Sequence, residues 1–220
     1  MKNQLHIGRY ELTIFAPNVP CDGVIYIPSH GDAAETAALL PDLRAALVFI
    51  DGFDWNRDLS PWPAKAAFGD EDFSGQADAF LKDLTEEILP AAERKMNIQP
   101  KWRGVAGYSL AGLFAAYAVY RSGQFSRLAS VSGSMWFDGW MEYAEKTPLG
   151  APIERAHFSV GAKEKKTRNA RMQPVEENTR AMCRVFEERG AKSVFVLNPG
   201  NHFVDAQKRL ADALNYLMEE

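Results

Sequence analysis

The sequence predicts an α/β protein with a doubly wound, mostly parallel sheet and helices on both faces. Three observations support this fold class. From residue 45 to the C-terminus, short apolar segments alternate with segments of helical periodicity. The segment 45–50 is apolar throughout (AALVFI), as expected for a parallel strand buried on both faces. Glycine and polar residues follow the predicted strands at their carboxyl ends, where ligands of such sheets bind.

The first half of the chain is predicted to begin with two strands, at 4–16 and 23–27, which are rich in aromatic and β-branched residues. A helix is predicted at 32–43, before the buried strand, with Pro41 near its end. The segment 53–73 is irregular, and its aromatic residues argue against disorder. Apolar residues then recur at helical spacing over 75–97, with a kink expected near Pro90.

The second half continues the alternation of strands and helices. The Ala-rich segment 110–122 is apolar nearly all round, so this helix is expected to be buried against the sheet. Gly190 is a stop signal for the helix at 174–189. The other predicted elements are strand 102–107, strand 126–132, a connection at 133–152, strand 156–160, a basic loop at 162–172, strand 193–198 and a final helix at 205–218.

Length and composition limit the classes of function. The 220 residues are expected to form one domain, 1–220, with loop insertions at 53–73 and 133–152. A net charge of −4 argues against nucleic acid as a partner, because phosphate binding needs a basic surface. The two cysteines, Cys21 and Cys183, form no C-x-x-C pair, so neither a zinc knuckle nor a redox motif is indicated. We expect no metal and no cofactor.

The chain is expected to be cytoplasmic and not to associate with a membrane. Its N-terminus lacks the apolar core of a signal peptide, and no apolar run reaches 18 residues. The expected partner is a small molecule, and the sequence leaves the oligomeric state open.

The most informative segment is 105–117 (VAGYSLAGLFAAY), in which Ser109 stands between an apolar run and a helical run. Gly107 precedes this serine by two positions and Ala111 follows it by two. The pattern is close to G-x-S-x-G, a tight strand-to-helix turn that presents a nucleophilic serine. Small residues are needed because the turn brings backbone close to backbone. The N–H of Leu110 at the helix start is the first predicted oxyanion donor.

A serine nucleophile needs a base, and the chain has four histidines. His202 follows the last predicted strand in a flexible turn and is the preferred base. His30, in an early loop, is the alternative. His157 lies inside a strand and is expected in the core, and His6 is at the wrong end of the chain for this site.

The acid is expected between the serine and the histidine in sequence. Glu164, three residues after Gly161, is the best placed, and Asp138 is the second choice. A dyad without a strong acid also remains open. The second oxyanion donor is expected after the strand at 45–50, and the backbone N–H of Phe53 is the chosen candidate.

Four segments together resemble the esterase group of the α/β-hydrolase superfamily, which includes esterase D-like, feruloyl-esterase-like and enterochelin-esterase-like proteins. They are DGF at 51–53, GYSLAG at 107–112, SGSMWFD at 132–138 and NPGNHF at 198–203. The resemblance covers residues 45–220. It implies that Ser109 is the nucleophile, His202 the base and an acid near Glu164 the third member, with Trp136 lining the site. The basic segment 163–171 departs from the Gly-x-Asp turn of many relatives.

The leading functional hypothesis is therefore a serine hydrolase that cleaves a carboxylic ester. Basic residues of the segment 163–171, Arg168 among them, are expected to attract an anionic or phenolic substrate. An aromatic wall is expected from Trp55, Trp62, Phe68 and Trp136. The alternatives are an acyltransferase that uses the same residues and a non-catalytic binding protein that keeps the scaffold.

Overall fold

The computed structural model of the chain describes residues 2–31 and 33–219. Their strands are β1 (Lys2–Ile7), β2 (Tyr10–Phe15), β3 (Gly23–Pro28), β4 (Ala46–Asp51), β5 (Pro63–Ala64), β6 (Phe73–Ser74), β7 (Trp102–Tyr108), β8 (Arg127–Val131), β9 (Arg155–Gly161) and β10 (Lys192–Asn198). Their α-helices are α1 (Ala33–Ala38), α2 (Trp55–Asp58), α3 (Ala77–Asp83), α4 (Leu89–Met96), α5 (Leu110–Arg121), α6 (Trp140–Lys146), α7 (Val175–Glu188) and α8 (Ala206–Leu217).

Within the described residues, eight strands form one sheet in the order β1-β2-β4-β3-β7-β8-β9-β10. The pairs β1–β2 and β2–β4 are antiparallel, and every pairing from β4 through β3 to β10 is parallel. The carboxyl ends of the parallel strands therefore share one edge of the sheet, where ligands bind in such folds. The predicted fold class is confirmed.

Helices pack on both faces of the sheet. Helices α3, α5 and α7 cover one face, where the larger apolar cluster lies. Helix α8 covers the other face through Leu210, Leu214 and Leu217. Helix α5 is buried over nearly its whole length, because it packs on both β7 and β8 beneath the surrounding helices. This burial fixes the helix whose first turn forms part of the site described below. No helix of residues 2–31 and 33–219 is long and apolar enough to span a membrane.

The two segments predicted as loops contain short regular elements. The segment 53–73 holds α2 and β5, and β5 pairs with β6 in a small antiparallel ladder. Asp58, at the end of α2, is buried and binds Arg9 and Arg57 at 2.9 Å. The segment 133–152 holds α6, and the Trp62 Nε1–H donates to the Asp138 carbonyl at 2.8 Å. The hydrogen bond from Trp62 joins the two segments beside the carboxyl ends of the strands.

The long helix predicted at 75–97 is interrupted before Pro90. A π-helical turn at Leu84–Ile88 separates α3 from α4. Proline has no N–H to donate and its ring crowds the preceding turn, so the backbone widens just before it. The helix predicted at 32–43 is shorter, since α1 ends at Ala38 and its last bonds are of the tighter i→i+3 type ahead of Pro41. Asp32, the predicted first residue, lies outside the described residues.

Candidate active site

Ser109 lies in the sharp turn between β7 and α5, with φ 59° and ψ −122°. A non-glycine residue rarely adopts a positive φ, and such strain persists only where the surroundings impose it. The Ser109 N–H donates to the Val131 carbonyl at 3.0 Å. The Ser109 carbonyl accepts from the N–H groups of Gly112, Leu113 and Ser134 at 3.0–3.1 Å. These backbone hydrogen bonds hold the serine in its strained conformation.

The small residues around Ser109 are required by close backbone approach. A Cβ added at Gly107 would clash with the backbone of Ala111, two positions beyond the serine. A Cβ added at Gly112 would lie 3.0 Å from the Gly107 carbonyl oxygen and 3.1 Å from Gly133 Cα. The turn accommodates the Ala111 methyl because Gly107, which faces Ala111, has no side chain.

His202 lies in the turn after β10 and contacts both other residues of the predicted triad. Its Nε2 is 3.1 Å from Ser109 Oγ, and its Nδ1 is 2.8 Å from Glu164 Oε2. An ionised carboxylate can only accept, so Nδ1 carries the hydrogen and Nε2 is free to accept from the serine hydroxyl. The three side chains therefore form a continuous path of hydrogen bonds from hydroxyl to carboxylate.

Glu164 is held by a dense set of donors, and its side chain is 7% exposed. Its Oε1 accepts from the Gly161 N–H at 2.6 Å and from the Ser132 hydroxyl at 2.8 Å. Burial acts to raise the pKa of this carboxyl, but the hydrogen bond and charge of His202, with the bonds from Gly161 and Ser132, hold the pKa below its ordinary value. The carboxylate therefore stays ionised beside the imidazole.

Asp138, His30, His157 and His6 make no hydrogen bond to the Ser109 hydroxyl among the described residues. Asp138 is exposed and pairs with Arg171 at 2.8 Å. His30 does line the cavity above Ser109, but its Nδ1 pairs with Asp51 Oδ1 at 2.8 Å. His157 is buried in β9, where burial lowers its pKa to about 4, and His6 lies on the exposed strand β1.

The oxyanion donors predicted from the sequence differ in their placement. Leu110 is the first residue of α5, and the first N–H groups of a helix have no partner within it. Phe53 lies apart, because β3 separates β4 from β7 and the Phe53 ring is buried against Phe80. Pro28 at the end of β3, and Ser29 and His30 directly after it, line the cavity beside Ser109 instead.

The cavity above Ser109 has a volume of about 920 Å³. Its aromatic lining consists of Trp55, Phe68, Tyr108, Trp136 and Phe203. Trp55 and Trp136 are therefore placed at the site as predicted. Trp62 is instead packed on Trp140 and Phe137. Phe203, which is 86% exposed directly after His202, was not predicted to line the site.

The basic segment 163–171 reaches the cavity through Lys163 and Lys166. Arg168 is exposed, and the cavity lining among the described residues does not include it. Lys165 pairs with Glu176 at 2.9 Å, and Arg171 pairs with Asp138. Of the basic residues predicted to attract the substrate, Lys163 and Lys166 therefore line the cavity and Arg168 does not.

Arg209 and Ser132 are further residues of the site to which no role was assigned from the sequence. Arg209 is 3% exposed, and its guanidinium contacts the Ser132 hydroxyl at 3.2 Å. Arg209 shares a face of α8 with Ala213 and Leu217. A charged residue on an otherwise apolar helix face is the feature of the sequence that could have indicated its role.

Comparison with known proteins extends these observations. The model of the family described as "Putative esterase" matches residues 21–215. The uncharacterized protein YbbA of Bacillus subtilis (strain 168) is 28% identical over 156 residues, which are 69% of this chain, and the chain spans 61% of the length of that curated relative.

Solved structures with the same fold include siderophore hydrolase EstB from Aspergillus nidulans, with a TM-score of 0.77, 18% identity and coverage of 100% of this chain and 95% of that one. The IroE-like serine hydrolase from Shewanella oneidensis has a TM-score of 0.76 and 17% identity, with coverage of 99% and 79%. Such identities show the fold alone. Because the family model matches most of the chain, the protein belongs to this esterase family, and its fold is the α/β-hydrolase fold.

Proposed function

We propose that this esterase hydrolyses carboxylic esters through an acyl-enzyme formed on Ser109. The observation that carries the proposal is the hydrogen-bonded path Ser109–His202–Glu164, with separations of 3.1 and 2.8 Å. A serine hydroxyl is a weak nucleophile, and a positioned base with an orienting carboxylate is the arrangement that activates it.

In the acylation step, Ser109 Oγ attacks the ester carbonyl carbon while His202 Nε2 takes the hydroxyl proton. The carbonyl oxygen becomes a tetrahedral oxyanion, and Glu164 stabilises the imidazolium that forms. When the carbon–oxygen bond to the alcohol breaks, His202 gives its proton to the leaving oxygen. The alcohol departs and the acyl group remains on Ser109.

Deacylation repeats the sequence with water as the nucleophile. His202 Nε2 takes a proton from the water, whose oxygen attacks the acyl carbonyl carbon. Collapse of the second tetrahedral intermediate returns the proton to Ser109 Oγ and releases the carboxylic acid. Both steps need the same base in the same place, which the bond between His202 Nδ1 and Glu164 provides.

Two backbone donors are proposed for the oxyanion. The first is the Leu110 N–H at the positive end of the α5 dipole. The second is the His30 N–H, because β3 neighbours β7 in the sheet and the Ser29 N–H is already engaged by the Ile50 carbonyl at 3.0 Å. This replaces the Phe53 N–H as our candidate. Loss of one such donor costs about 10²–10³ in kcat in other enzymes.

The cavity supports a substrate that carries an aromatic group and a negative charge. Trp55, Phe68 and Trp136 offer ring faces, and Lys163 and Lys166 are the cations of the lining. One structure of the same fold is described as a siderophore hydrolase, and esters of that class are accordingly the first large substrates to assay.

The proposal is tested with Ser109→Ala, His202→Ala and a matched serine control, Ser122→Ala, at the other end of α5. With p-nitrophenyl acetate, the two site variants should lose roughly four or more orders of magnitude in kcat, as loss of a triad member does elsewhere. Ser122→Ala should stay within threefold of the wild type. A Ser109→Ala variant that retains activity would contradict the assignment of Ser109 as the nucleophile. A folded wild type that is inactive on esters and thioesters would favour a binding protein.

A further inference from the structure

Arg209 is a buried cation directly beneath the turn that carries His202. It projects from α8, and its side chain is 3% exposed. Its Nη2 donates to the Pro199 carbonyl at 2.7 Å and to the Asn201 carbonyl at 2.9 Å. Both carbonyls belong to the segment between β10 and His202. One guanidinium nitrogen therefore fixes the backbone that places the imidazole.

The other terminal nitrogen of Arg209 faces the carboxylate side of the site. Its Nη1 lies 3.2 Å from Ser132 Oγ and 3.4 Å from both Tyr108 Oη and Glu164 Oε1. The Ser132 hydroxyl donates to the same Glu164 oxygen, and the Tyr108 hydroxyl donates to the His202 carbonyl at 2.6 Å. Arg209 thus joins the acid and the histidine turn from below.

Two backbone features show that this cluster is built under constraint. Ser132 has a positive φ of 45°, an uncommon conformation for a residue with a side chain. A Cβ added at Gly161 would lie 2.9 Å from Glu164 Oε1 and 3.0 Å from Arg209 Nη1. Glycine at position 161 therefore leaves room for the carboxylate and the guanidinium to meet.

We propose that Arg209 is a positioning residue that sets the distance and orientation between Glu164 and His202. The proposal rests on the proposed function, because it assigns a role within the same site. The guanidinium is a rigid planar fork, so its two nitrogens hold two groups of acceptors at a fixed spacing. A lysine ammonium is a single point charge on a flexible stem and can satisfy one group at a time.

A purely structural role is the competing explanation, and Arg127 provides a matched control. Arg127 is also largely buried, and its Nη1 donates to the Leu217 carbonyl at 2.6 Å and the Glu219 carbonyl at 3.1 Å. Its Nε donates to Glu154. Arg127 begins β8, so it lies at the opposite edge of the sheet from Ser109. Loss of this arginine should cost stability without moving the catalytic side chains.

The test compares Arg209→Ala, Arg209→Lys and Arg127→Ala with the wild type. For each we measure kcat and KM on p-nitrophenyl acetate, the rate at which a fluorophosphonate labels Ser109, and Tm. Arg209→Ala should lower kcat and the labelling rate about 100-fold with little change in KM, since displacing a catalytic group by about 1 Å has a cost of this order. Arg209→Lys should fall between Arg209→Ala and the wild type. Guanidinium ion added at low millimolar concentration should restore part of the Arg209→Ala rate.

Arg127→Ala should lower Tm, keep kcat within threefold of the wild type and show no response to guanidinium. The proposal is overturned if folded Arg209 variants lose Tm as Arg127→Ala does but keep their kcat and labelling rate. If Arg209→Ala does not fold, the test is made with Arg209→Lys and Tyr108→Phe instead. A kcat that is unchanged in both of these variants overturns the proposal. A wild type that is not labelled at Ser109 is a different result, because it contradicts the proposed function itself.

Discussion

Replacing Ser109 by glycine should leave the protein more stable than replacing it by alanine, although both variants lose the hydroxyl. The reason is the backbone, since φ 59° and ψ −122° are strained for alanine and open to glycine. A side chain in such a region costs about 1–3 kcal/mol, and the extra freedom of glycine in the unfolded chain returns about 0.5–1 kcal/mol. Taking the middle of each range, the net advantage of Ser109→Gly over Ser109→Ala is about 1.2 kcal/mol, or roughly 2–5 °C in Tm for a chain of this size.

Scanning calorimetry on the two inactive variants measures this difference. The control is the same pair at Ser122, where φ is −139° and glycine relieves no strain. There the glycine variant should be the less stable of the two by about 0.5–1 kcal/mol. If Ser109→Gly is no more stable than Ser109→Ala, the turn stores no strain and our account of the turn is refuted.

Three further predictions follow from other parts of the structure. Gly107→Ala should destabilise the protein by roughly 1–3 kcal/mol in denaturant titration, because the new methyl meets the Ala111 backbone, and an unchanged midpoint would contradict the close packing. Lys163→Met and Lys166→Met should each lower kcat/KM for p-nitrophenyl succinate roughly two- to tenfold relative to the neutral p-nitrophenyl valerate, whereas Lys165→Met, whose ammonium pairs with Glu176, should not. Burial acts to raise the pKa of Asp58, but Arg57, the Asp54 N–H and Arg9 outweigh it and leave the pKa below its unfolded value. The ionised group therefore contributes stability above its unfolded pKa, and this stability is lost as the pH falls through the folded pKa. The wild type should be more stable than Asp58→Asn by roughly 1–3 kcal/mol at neutral pH, and this difference should shrink between about pH 5 and pH 2. A difference that stays constant over this range would exclude the linkage.

Much of the fold could be predicted because its elements differ in hydrophobic periodicity. The apolar strand β4, the Ala-rich helix α5 and the amphipathic helix α7 each carry a local pattern. Strand order carries no such local signal, because it depends on which strands pair at long range. This is why Phe53 was chosen as an oxyanion donor, since the sequence did not reveal that β3 lies between β4 and β7.

The predicted triad could be located because each member follows a strand of a parallel sheet. Ser109, Glu164 and His202 follow β7, β9 and β10, whose carboxyl ends lie at one edge. The positions that could not be predicted depend on side-chain direction. The basic segment 163–171 alone does not show that Lys163 and Lys166 line the cavity whereas Arg168 does not. Arg209 was missed because its acceptors, such as the Pro199 carbonyl, are backbone atoms with no sequence signature.

The central claim is that an acyl group is carried on Ser109, and mass spectrometry of the quenched reaction tests it most directly. Wild-type protein mixed with p-nitrophenyl acetate and acid-quenched within milliseconds should gain one acetyl group per chain, located by peptide mapping on Ser109, with a matching burst of p-nitrophenolate. His202→Ala should show neither within the same time. Two results would contradict the account. One is an acetyl group on a residue other than Ser109, and the other is a burst of p-nitrophenolate from a protein that carries no acetyl group.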